Sequence, residues 1–511
     1  MLMLVMSIFF SVMSAGMMSY LAMSIQLGPW VAPVFVVVCM VFVIPFIKSK
    51  WFYEHAVVAI ASGSVGGMIG ICLGLSFPSF YFLHKNLFES WLAEPIKLCA
   101  VIFCFVMSAS LYALFLGYFL RHYFLHQPRA KFPMSQLVYD VIFVDKQEKS
   151  HHRMVAGVGV ATFWNMVMLF GRSSLAVYAP QLHMLPLLLS VGFVAGMVIA
   201  LPVFVGFCIR LIVLDGVRTF TRSILSANSF LITFGTGMLL VALVRMIILA
   251  WQNRKSEEVR ERNLYWRKKI KDYDVVKWYA LIIVFIFALI HFFGGSLLVS
   301  LYTLIAIAWL SKYMVQIISR VGIIEIDSYA WFVILPLVYM IAPTSDVVIA
   351  IAVFATLCLG LIIDFMFSYK LADLANVSYH KIVRYQLIAS FCASISAGLF
   401  FIWFCKTWGL ASFAFIAPKA HELDSVINFG YFDFKVLIAG ILCGSAVLMI
   451  TAELLTVIGA VLMTPFMSLT LVVAGVGAHL VKKRERWYPV WFGVYAGHML
   501  WLIVQAFLYH K

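Results

Sequence analysis

The stretch VGFVAGMVIALPVFVGF, from Val191 to Phe207, combines a long apolar run with three glycines and one proline. Apolar runs of this kind form membrane helices, whereas glycine and proline weaken a helix. A bilayer has no water to satisfy the backbone groups that a break sets free. Broken helices are therefore tolerated only where they are buried in protein or line a cavity. The stretch predicts an interrupted or re-entrant membrane helix.

The composition of the whole chain indicates a membrane protein. Of the 511 residues, 64% are hydrophobic and only 12% are charged, which is too much apolar surface for a soluble protein to hide. Apolar segments recur along the chain, so we expect an all-α polytopic protein with roughly 14 to 16 membrane segments. The net charge of +15 lies mostly in the connecting loops, where it sets orientation; no nucleic-acid partner is expected.

One basic loop divides the chain. Residues 251–277 carry more basic than acidic side chains and are expected to be cytoplasmic, between an N-terminal membrane half (1–250) and a C-terminal membrane half (278–511). We expect a multi-pass protein of the plasma (inner) membrane. The weakly charged or acidic connections, which are expected outside, are His84–Lys97, Pro343–Asp346 and Lys419–Asp433.

A second segment repeats the features of the opening stretch. It reads IGAVLMTPFMSLTLVVAGVG, from Ile458 to Gly477, and has a central proline, Pro465. From Gly192 to Gly459 the two segments are 267 residues apart, about half the chain. The alternation of inside and outside loops also fails in both regions. We therefore predict two related halves, each with an interrupted helix, as in secondary transporters. The alternative is that the glycines only allow close helix packing.

Three acidic residues are candidates for coupling transport to protons, because a charge at membrane depth is expensive and usually functional. They are Asp364, Glu453 and Glu54. Each has a structural alternative. Asp364 could pair with Lys370 at a helix end, Glu54 with nearby lysines, and Glu453 could cap a half-helix. Arg210 is expected to extend to the membrane interface.

The predicted breaks supply candidates for substrate binding. The N-terminus of a half-helix carries partial positive charge and attracts a carboxylate through its backbone N–H groups. The residues expected to line this site are Ser190, Gly192, Gly196 and Pro202 in the N-terminal half, and Gly459, Thr464, Pro465 and Ser468 in the C-terminal half.

Several segments, in the same order along the chain, resemble motifs of one family. They include YEHAVVAIASGSVGGMIGICLGLSFPSFYFL (Tyr53–Leu83), the basic turn and loop of Leu114–Val144, Ile362–Leu387, and FAFIAPKAHELDSVINFGYFDF (Phe413–Phe434). The chain resembles the oligopeptide transporter family, which includes the yellow-stripe-like metal-chelate carriers, and the bacterial branch most closely. The resemblance adds these motif positions: Ser62, Pro133, Asp140, Lys370 and Pro418.

The resemblance implies a secondary active transporter for oligopeptides or peptide-like metal chelates, which is coupled to protons and embedded in a lipid bilayer. No enzymatic activity, cofactor or metal site is expected, since nucleotide-binding and hydrolase motifs are absent from the sequence. Two alternatives stay open. One is a membrane-embedded enzyme acting on a lipid-linked substrate, which would need a cluster of polar residues at one interface. The other is a non-transporting membrane scaffold.

Overall fold

The computed structural model describes most of the chain. The described residues are 2–25, 52–125, 132, 134–136, 138–139, 148–170, 182, 185–217, 227–252, 273–321, 326–341, 343–407, 409–410, 433–450, 454–482 and 484–508. All regular secondary structure in these ranges is helical. The prediction of an all-α protein is confirmed for them.

Helices fill the described part of the chain up to residue 252, and a short π-helical turn follows the eighth of them. They are α1 (Leu2–Ile25), α2 (Phe52–Ser76), α3 (Ser79–Leu83), α4 (Lys85–Ala93), α5 (Pro95–Phe124), α6 (Glu148–Phe170), α7 (Leu185–Ala195), α8 (Met197–Ile212) and α9 (Ala227–Gln252).

Helices also fill the described part after residue 272, with a short 3₁₀ turn before the last one. They are α10 (Tyr273–Phe292), α11 (Leu297–Val321), α12 (Ile326–Ile341), α13 (Ser345–Leu374), α14 (Tyr379–Thr407), α15 (Phe434–Ile450), α16 (Leu454–Leu462), α17 (Pro465–Leu480) and α18 (Tyr488–Leu508).

Many of these helices have the length and composition of membrane spans. Among the described residues six helices qualify, or seven if α7 and α8 count as one bent span. The protein is therefore a helical membrane protein. The spans lie in α1, α2 with α3, α5, α11, α13 and α14. The larger number of segments expected from the sequence stays a prediction, because parts of the chain lie outside the described residues.

The long helices α2 and α13 lie at the centre of a group of helices that we call the inner bundle. These two helices contact each other and are almost wholly buried, while α1, α5, α11, α12 and α14 pack around them. Helix α13 is buried from Val347 to Ala372, apart from Lys370. A helix that is apolar on all sides belongs in the centre of a bundle, since no face of it needs water.

Glycines bring α1 and α2 into close contact. A Cβ on Gly74 would lie 2.6 Å from the carbonyl oxygen of Ser19, so only glycine allows the approach. Small residues four apart let helix backbones come together in membranes, where the hydrophobic effect cannot drive association. The residue numbers of the facing pairs increase together along both helices, so α1 and α2 are parallel. The facing residues are Gly66 with Ser11, Gly70 with Ala15, and Gly74 with Ser19.

A second group of helices, which we call the broken-helix group, consists of α6–α9 and α15–α18. Close contacts between glycines join two helix pairs in this group, α6 with α18 and α9 with α15. A Cβ on Gly157 of α6 would lie 3.0 Å from the Cα of Gly493, and a Cβ on Gly237 of α9 would lie 3.0 Å from the Cα of Gly440. Both pairs therefore use the same close packing.

The inner bundle has two distinct ends. At one end the His84 ring contacts the first residues of α13, and Phe80 packs on Phe293 beside the α10–α11 turn. At the other end Glu54 pairs with Lys381, and the Arg121 guanidinium lies over the ring of Tyr379 at 3.5 Å. The loops around His84 and before α13, both expected outside, therefore lie at the same end.

Candidate functional site

Asp364 is a carboxylate deep inside the inner bundle. It lies in the continuous helix α13, and its residue is 1% exposed. The hydroxyl of Ser64, on α2, donates a short hydrogen bond to Oδ1. No group among the described residues hydrogen-bonds to Oδ2. A carboxylate with one unpaired oxygen in an apolar core is costly, which is typical of a group that binds a proton or an ion.

Further polar groups lie in the helices that pack around this carboxylate. Within the described part of the chain, several buried hydroxyl and amide groups of α2, α13 and α14 have no hydrogen-bond partner: Ser62, Ser368, Gln386 and Ser390. Ser368 follows Asp364 by one helical turn. Buried polar groups are normally paired, so unpaired ones need an explanation such as a bound ion or a water. The inner bundle therefore has a polar centre.

The alternative for Asp364, a pair with Lys370, is not observed. The ammonium of Lys370 lies 3.1 Å from the carboxylate of Asp373 and contacts the Leu125 carbonyl. Glu54 has the pairing suggested for it, though with a different lysine, since its carboxylate is 2.5 Å from the ammonium of Lys381. That pair is partly exposed at the end of α2. Of Asp364 and Glu54, only Asp364 is fully buried and has no cationic partner among the described residues.

The first broken helix is bent at Gly196. Helix α7 ends at Ala195, α8 begins at Met197, and the chain bends by 119° between them. Gly196 has φ +66° and ψ −152°, a conformation that is essentially restricted to glycine. The interruption predicted from the opening stretch is confirmed. The break lies at the central glycine, and Pro202 is accommodated inside α8.

The second break lies between α16 and α17. Helix α16 ends at Leu462, and α17 begins at Pro465. The Thr464 hydroxyl caps α17 by accepting a hydrogen bond from the N–H of Met467 at 3.4 Å. Proline is favoured at the first position of a helix because its missing N–H would have no partner there. The central proline therefore starts a new helix and does not kink a continuous one.

The two broken helices pack directly on each other. Helix α17 contacts both α7 and α8, and α16 contacts α8. A Cβ on Gly192 would lie 2.7 Å from the Cβ of Ala474, and one on Gly206 would lie 2.5 Å from the Cβ of Ala460. These contacts pair α7 with α17 and α8 with α16. The glycines serve close packing, as the alternative proposed, and one of them also makes the break.

Each break is capped by an arginine from the other segment. Nη1 of Arg210, at the end of α8, donates to the carbonyls of Val461, Leu462 and Met463 at 2.9, 2.9 and 2.5 Å. In return Nη2 of Arg484, after α17, donates to the carbonyl of Val194 near the end of α7. The last carbonyls of a helix lack intrahelical partners and carry partial negative charge, which a guanidinium satisfies.

The expectation that Arg210 extends to the membrane interface is therefore wrong. Its guanidinium instead hydrogen-bonds to carbonyls at the α16 terminus, which lack intrahelical partners. Sequence reasoning missed this role, and it missed Arg484 as well. The available signal is an arginine near the end of each broken segment, Arg210 within an apolar run and Arg484 within the basic run KKRER.

The remaining candidates fall into three sets. Ser190 donates to the Pro186 carbonyl within α7, and Ser468 donates to the Ala460 carbonyl across the break at 3.3 Å, so both support the local structure. Next to the second break, Thr464 and Pro465 are exposed, and Gly459 has open space beside its Cα. The candidates outside the described residues are Glu453, Pro133, Asp140 and Pro418.

The sequence matches no protein-family model and no curated protein. The resemblance to the oligopeptide transporter family therefore stays a prediction, and function must be argued from the geometry of the site.

Proposed function

We propose that the protein is a secondary active transporter of the plasma (inner) membrane, built from two related halves. The observation that carries the proposal is the pair of broken helices, which pack against each other and exchange arginine caps. Paired interruptions at membrane depth are typical of transporters, where the freed backbone groups serve binding.

The contacts within the broken-helix group support two related halves. If α6, α7, α8 and α9 are exchanged with α15, α16, α17 and α18, each major contact maps onto another. The α6–α18 contact becomes α15–α9, α7–α18 becomes α16–α9, and α7–α17 becomes α16–α8. The two arginine caps map onto each other in the same way. Such an exchange of helices is what two structural repeats would produce, and repeats of this kind are common in secondary transporters.

The proposed cargo is an oligopeptide or a peptide-like metal chelate. The N-termini of α8 and α17 lie at the two breaks, and helix N-termini favour anions. The arginine caps neutralise the partial negative charge of the adjoining helix C-termini, so the local field at each break favours negative groups. Peptides and their metal chelates offer carboxylates. The family resemblance points to the same class of cargo.

The proposed energy source is a proton gradient, with Asp364 as the group that is loaded and unloaded. Its burial, its single hydrogen bond from Ser64 and the unpaired hydroxyls of neighbouring helices support this role. A carboxylate at this depth is stable when it is protonated or ion-bound, so its protonation can be linked to the conformation of the bundle.

The test is uptake by the purified protein in liposomes under an imposed pH gradient. Ligands are first selected from short peptides and metal chelates by thermal stabilisation, which at a hundredfold excess over Kd amounts to about 2.7 kcal/mol. We expect wild-type uptake that requires the gradient, and Asp364→Asn should abolish gradient-driven uptake while it retains the fold and ligand stabilisation.

The matched control is Asp373→Asn, which removes a carboxylate on the same helix from an exposed pair with Lys370. It should transport at the wild-type rate. Normal uptake by Asp364→Asn would remove this residue from the mechanism. Failure of every ligand to stabilise the wild type or to be taken up would contradict transport of this cargo class and favour a scaffold.

A further inference from the structure

Three side chains of complementary chemistry meet at the end of the inner bundle that is expected to face outside. Nε2 of His84 lies 2.6 Å from Oγ of Ser345, and Nδ1 of the same ring lies 3.0 Å from Oδ1 of Asp346. A hydroxyl, an imidazole and a carboxylate in this order are the groups of a serine hydrolase triad, which is recognised by geometry and not by position in the chain.

The backbone holds the His84 imidazole in place. His84 lies between α3 and α4. Its N–H donates to the Phe80 carbonyl at 2.9 Å, and its carbonyl accepts a hydrogen bond from the N–H of Phe88 at 3.0 Å. Phe80 and Phe88 are fully buried, and both pack against Phe77. A catalytic base must be held within hydrogen-bond reach of its nucleophile, and this corner does so.

Ser345 and Asp346 form the start of α13, a helix of 30 residues. The residue before them, Thr344, makes no side-chain capping hydrogen bond, so the first amide N–H groups of the helix receive no cap from it. Such N–H groups can stabilise an oxyanion that forms beside the serine. The Asp346 carboxylate is close to the ring but is not aligned for a linear hydrogen bond, so it acts on the imidazole through its charge.

The site is accessible and lies at a mixed polar and apolar rim. The side chains of His84 and Asp346 are 28% and 36% exposed. Large apolar side chains at the same end are also exposed, with Ile96 at 87%, Phe292 at 69% and Leu297 at 74%. Helices that span a bilayer begin near its headgroup region, which is where the ester bonds of lipids lie.

We propose that Ser345, His84 and Asp346 form a hydrolytic site for carboxylic esters at the membrane interface. The proton of the Ser345 hydroxyl passes to Nε2 of His84 as Oγ bonds to the acyl carbon. The ester C–O bond then breaks, and the leaving alcohol takes the proton from His84. Water, deprotonated by the same ring, releases the carboxylic acid and restores Ser345. The overall reaction converts one ester and one water into an acid and an alcohol.

This proposal does not depend on transport, and it gives the lipid-directed enzyme alternative the interfacial polar cluster that it needs. The site combines residues 261 positions apart in the sequence. No hydrolase motif surrounds Ser345, so the sequence alone gave no sign of it.

The first test is covalent labelling of the full-length protein in detergent with a biotinylated fluorophosphonate. The serine oxygen displaces fluoride from phosphorus, and its proton passes to His84. We expect mass spectrometry to find the label on Ser345. Ser345→Ala should remove the label, His84→Gln should slow labelling at least about a hundredfold, and Asp346→Asn at least about tenfold. Ser90→Ala, a control on the nearby exposed face of α4, should label like the wild type.

The second test is release of fatty acid from phosphatidylcholine vesicles and of nitrophenol from p-nitrophenyl butyrate, which should follow the same order of variants. Folding of each variant is checked by its thermal transition. If Ser345→Ala does not fold, Ser345→Cys replaces it, and its alkylation by iodoacetamide should slow when His84 is also changed to Gln. Absence of label on Ser345 in the folded wild type, or equal labelling of His84→Gln, would overturn the proposal.

Discussion

The inner bundle and the broken-helix group place polarity inside a membrane protein in two different ways. In the inner bundle α2 and α13 run unbroken for 25 and 30 residues, and side chains such as Asp364 and Ser64 supply the polar groups. In the broken-helix group two segments are interrupted, at Gly196 and before Pro465, and the backbone itself supplies polar groups that Arg210 and Arg484 satisfy.

The difference separates two tasks. A side chain on a continuous helix can hold a charge without changing the shape of its surroundings. A broken helix presents two termini whose partial charges can meet a ligand, but it needs outside groups to satisfy the rest of its backbone. Because the polar groups are side chains in one group and backbone in the other, substitutions in the two groups should have distinct effects. The two groups also touch, through contacts of α1 with α18 and of α9 with α12.

The largest expected effect comes from the inner bundle. Gly70→Ala places a Cβ against the Ala15 carbonyl and 2.9 Å from the Ser19 N–H, and both are backbone groups that cannot move aside. Overpacking of this kind costs about 1–3 kcal/mol or more, so we expect little monodisperse protein by size-exclusion chromatography. Gly477→Ala in α17 is the control, because its Cβ meets open space. Equal yields would show that α1 and α2 do not need their close contact.

Removal of an arginine cap should be the next largest effect. Arg210→Ala leaves three carbonyls at the α16 terminus without their shared donor, and because the site is only partly buried we expect a total cost of about 1–3 kcal/mol. We expect a clearly lower thermal transition, and Arg210→Lys should recover part of the loss. Arg245→Ala on α9 serves as the control for lost charge. If Arg210→Ala and Arg245→Ala melt alike, the cap does not stabilise the break.

A smaller effect should follow from a change at the first break. Gly196→Ala forces alanine into φ +66° and also places a Cβ against the Arg484 guanidinium. The backbone strain alone costs about 1–3 kcal/mol. Gly294→Ala measures the backbone part, because its φ is +88° and open space surrounds it. We expect a lower melting temperature for Gly196→Ala than for Gly294→Ala. The reverse order would mean that the arginine moves without loss.

The smallest effect is expected for the pair of Glu54 and Lys381. Both side chains are partly exposed, at 24% and 31%, so solvent screens the pair and it contributes about 0–1 kcal/mol. Glu54→Gln should keep stability and gradient-driven uptake, in contrast to Asp364→Asn. High salt should reduce the small difference further, which thermal melts at low and high ionic strength can measure. If Glu54→Gln lost uptake, the proton-coupling residue would be Glu54 at the end of the bundle and not Asp364 at its centre.

The sequence predicted the features that depend on neighbouring residues. Long apolar segments with few charges predict membrane helices, and glycine in an apolar run predicts a break, as Gly196 confirms. The position of the second break was predicted only roughly, because Pro465 begins a helix and does not interrupt one. Asp364 stood out because a carboxylate is rare within such a long apolar run.

The features that the sequence did not predict all depend on distant contacts. Arg210 was assigned to an interface because a lone arginine in a membrane helix commonly extends there, and its partners lie about 250 residues away. Ser64 is one of many serines in its helix, and only the packing of α2 on α13 brings it to Asp364. His84 reaches Ser345 because a chain corner and a helix start meet at one end of the bundle.

The Arg484 cap has a consequence for how the chain is made. The carbonyl of Val194 receives its donor from a residue 290 positions later. During synthesis, α7 is therefore in the membrane long before the ribosome has added that guanidinium. The bend at Gly196 cannot take its final geometry until residue 484 has been added, so it is completed long after the helices on either side of it have been synthesised.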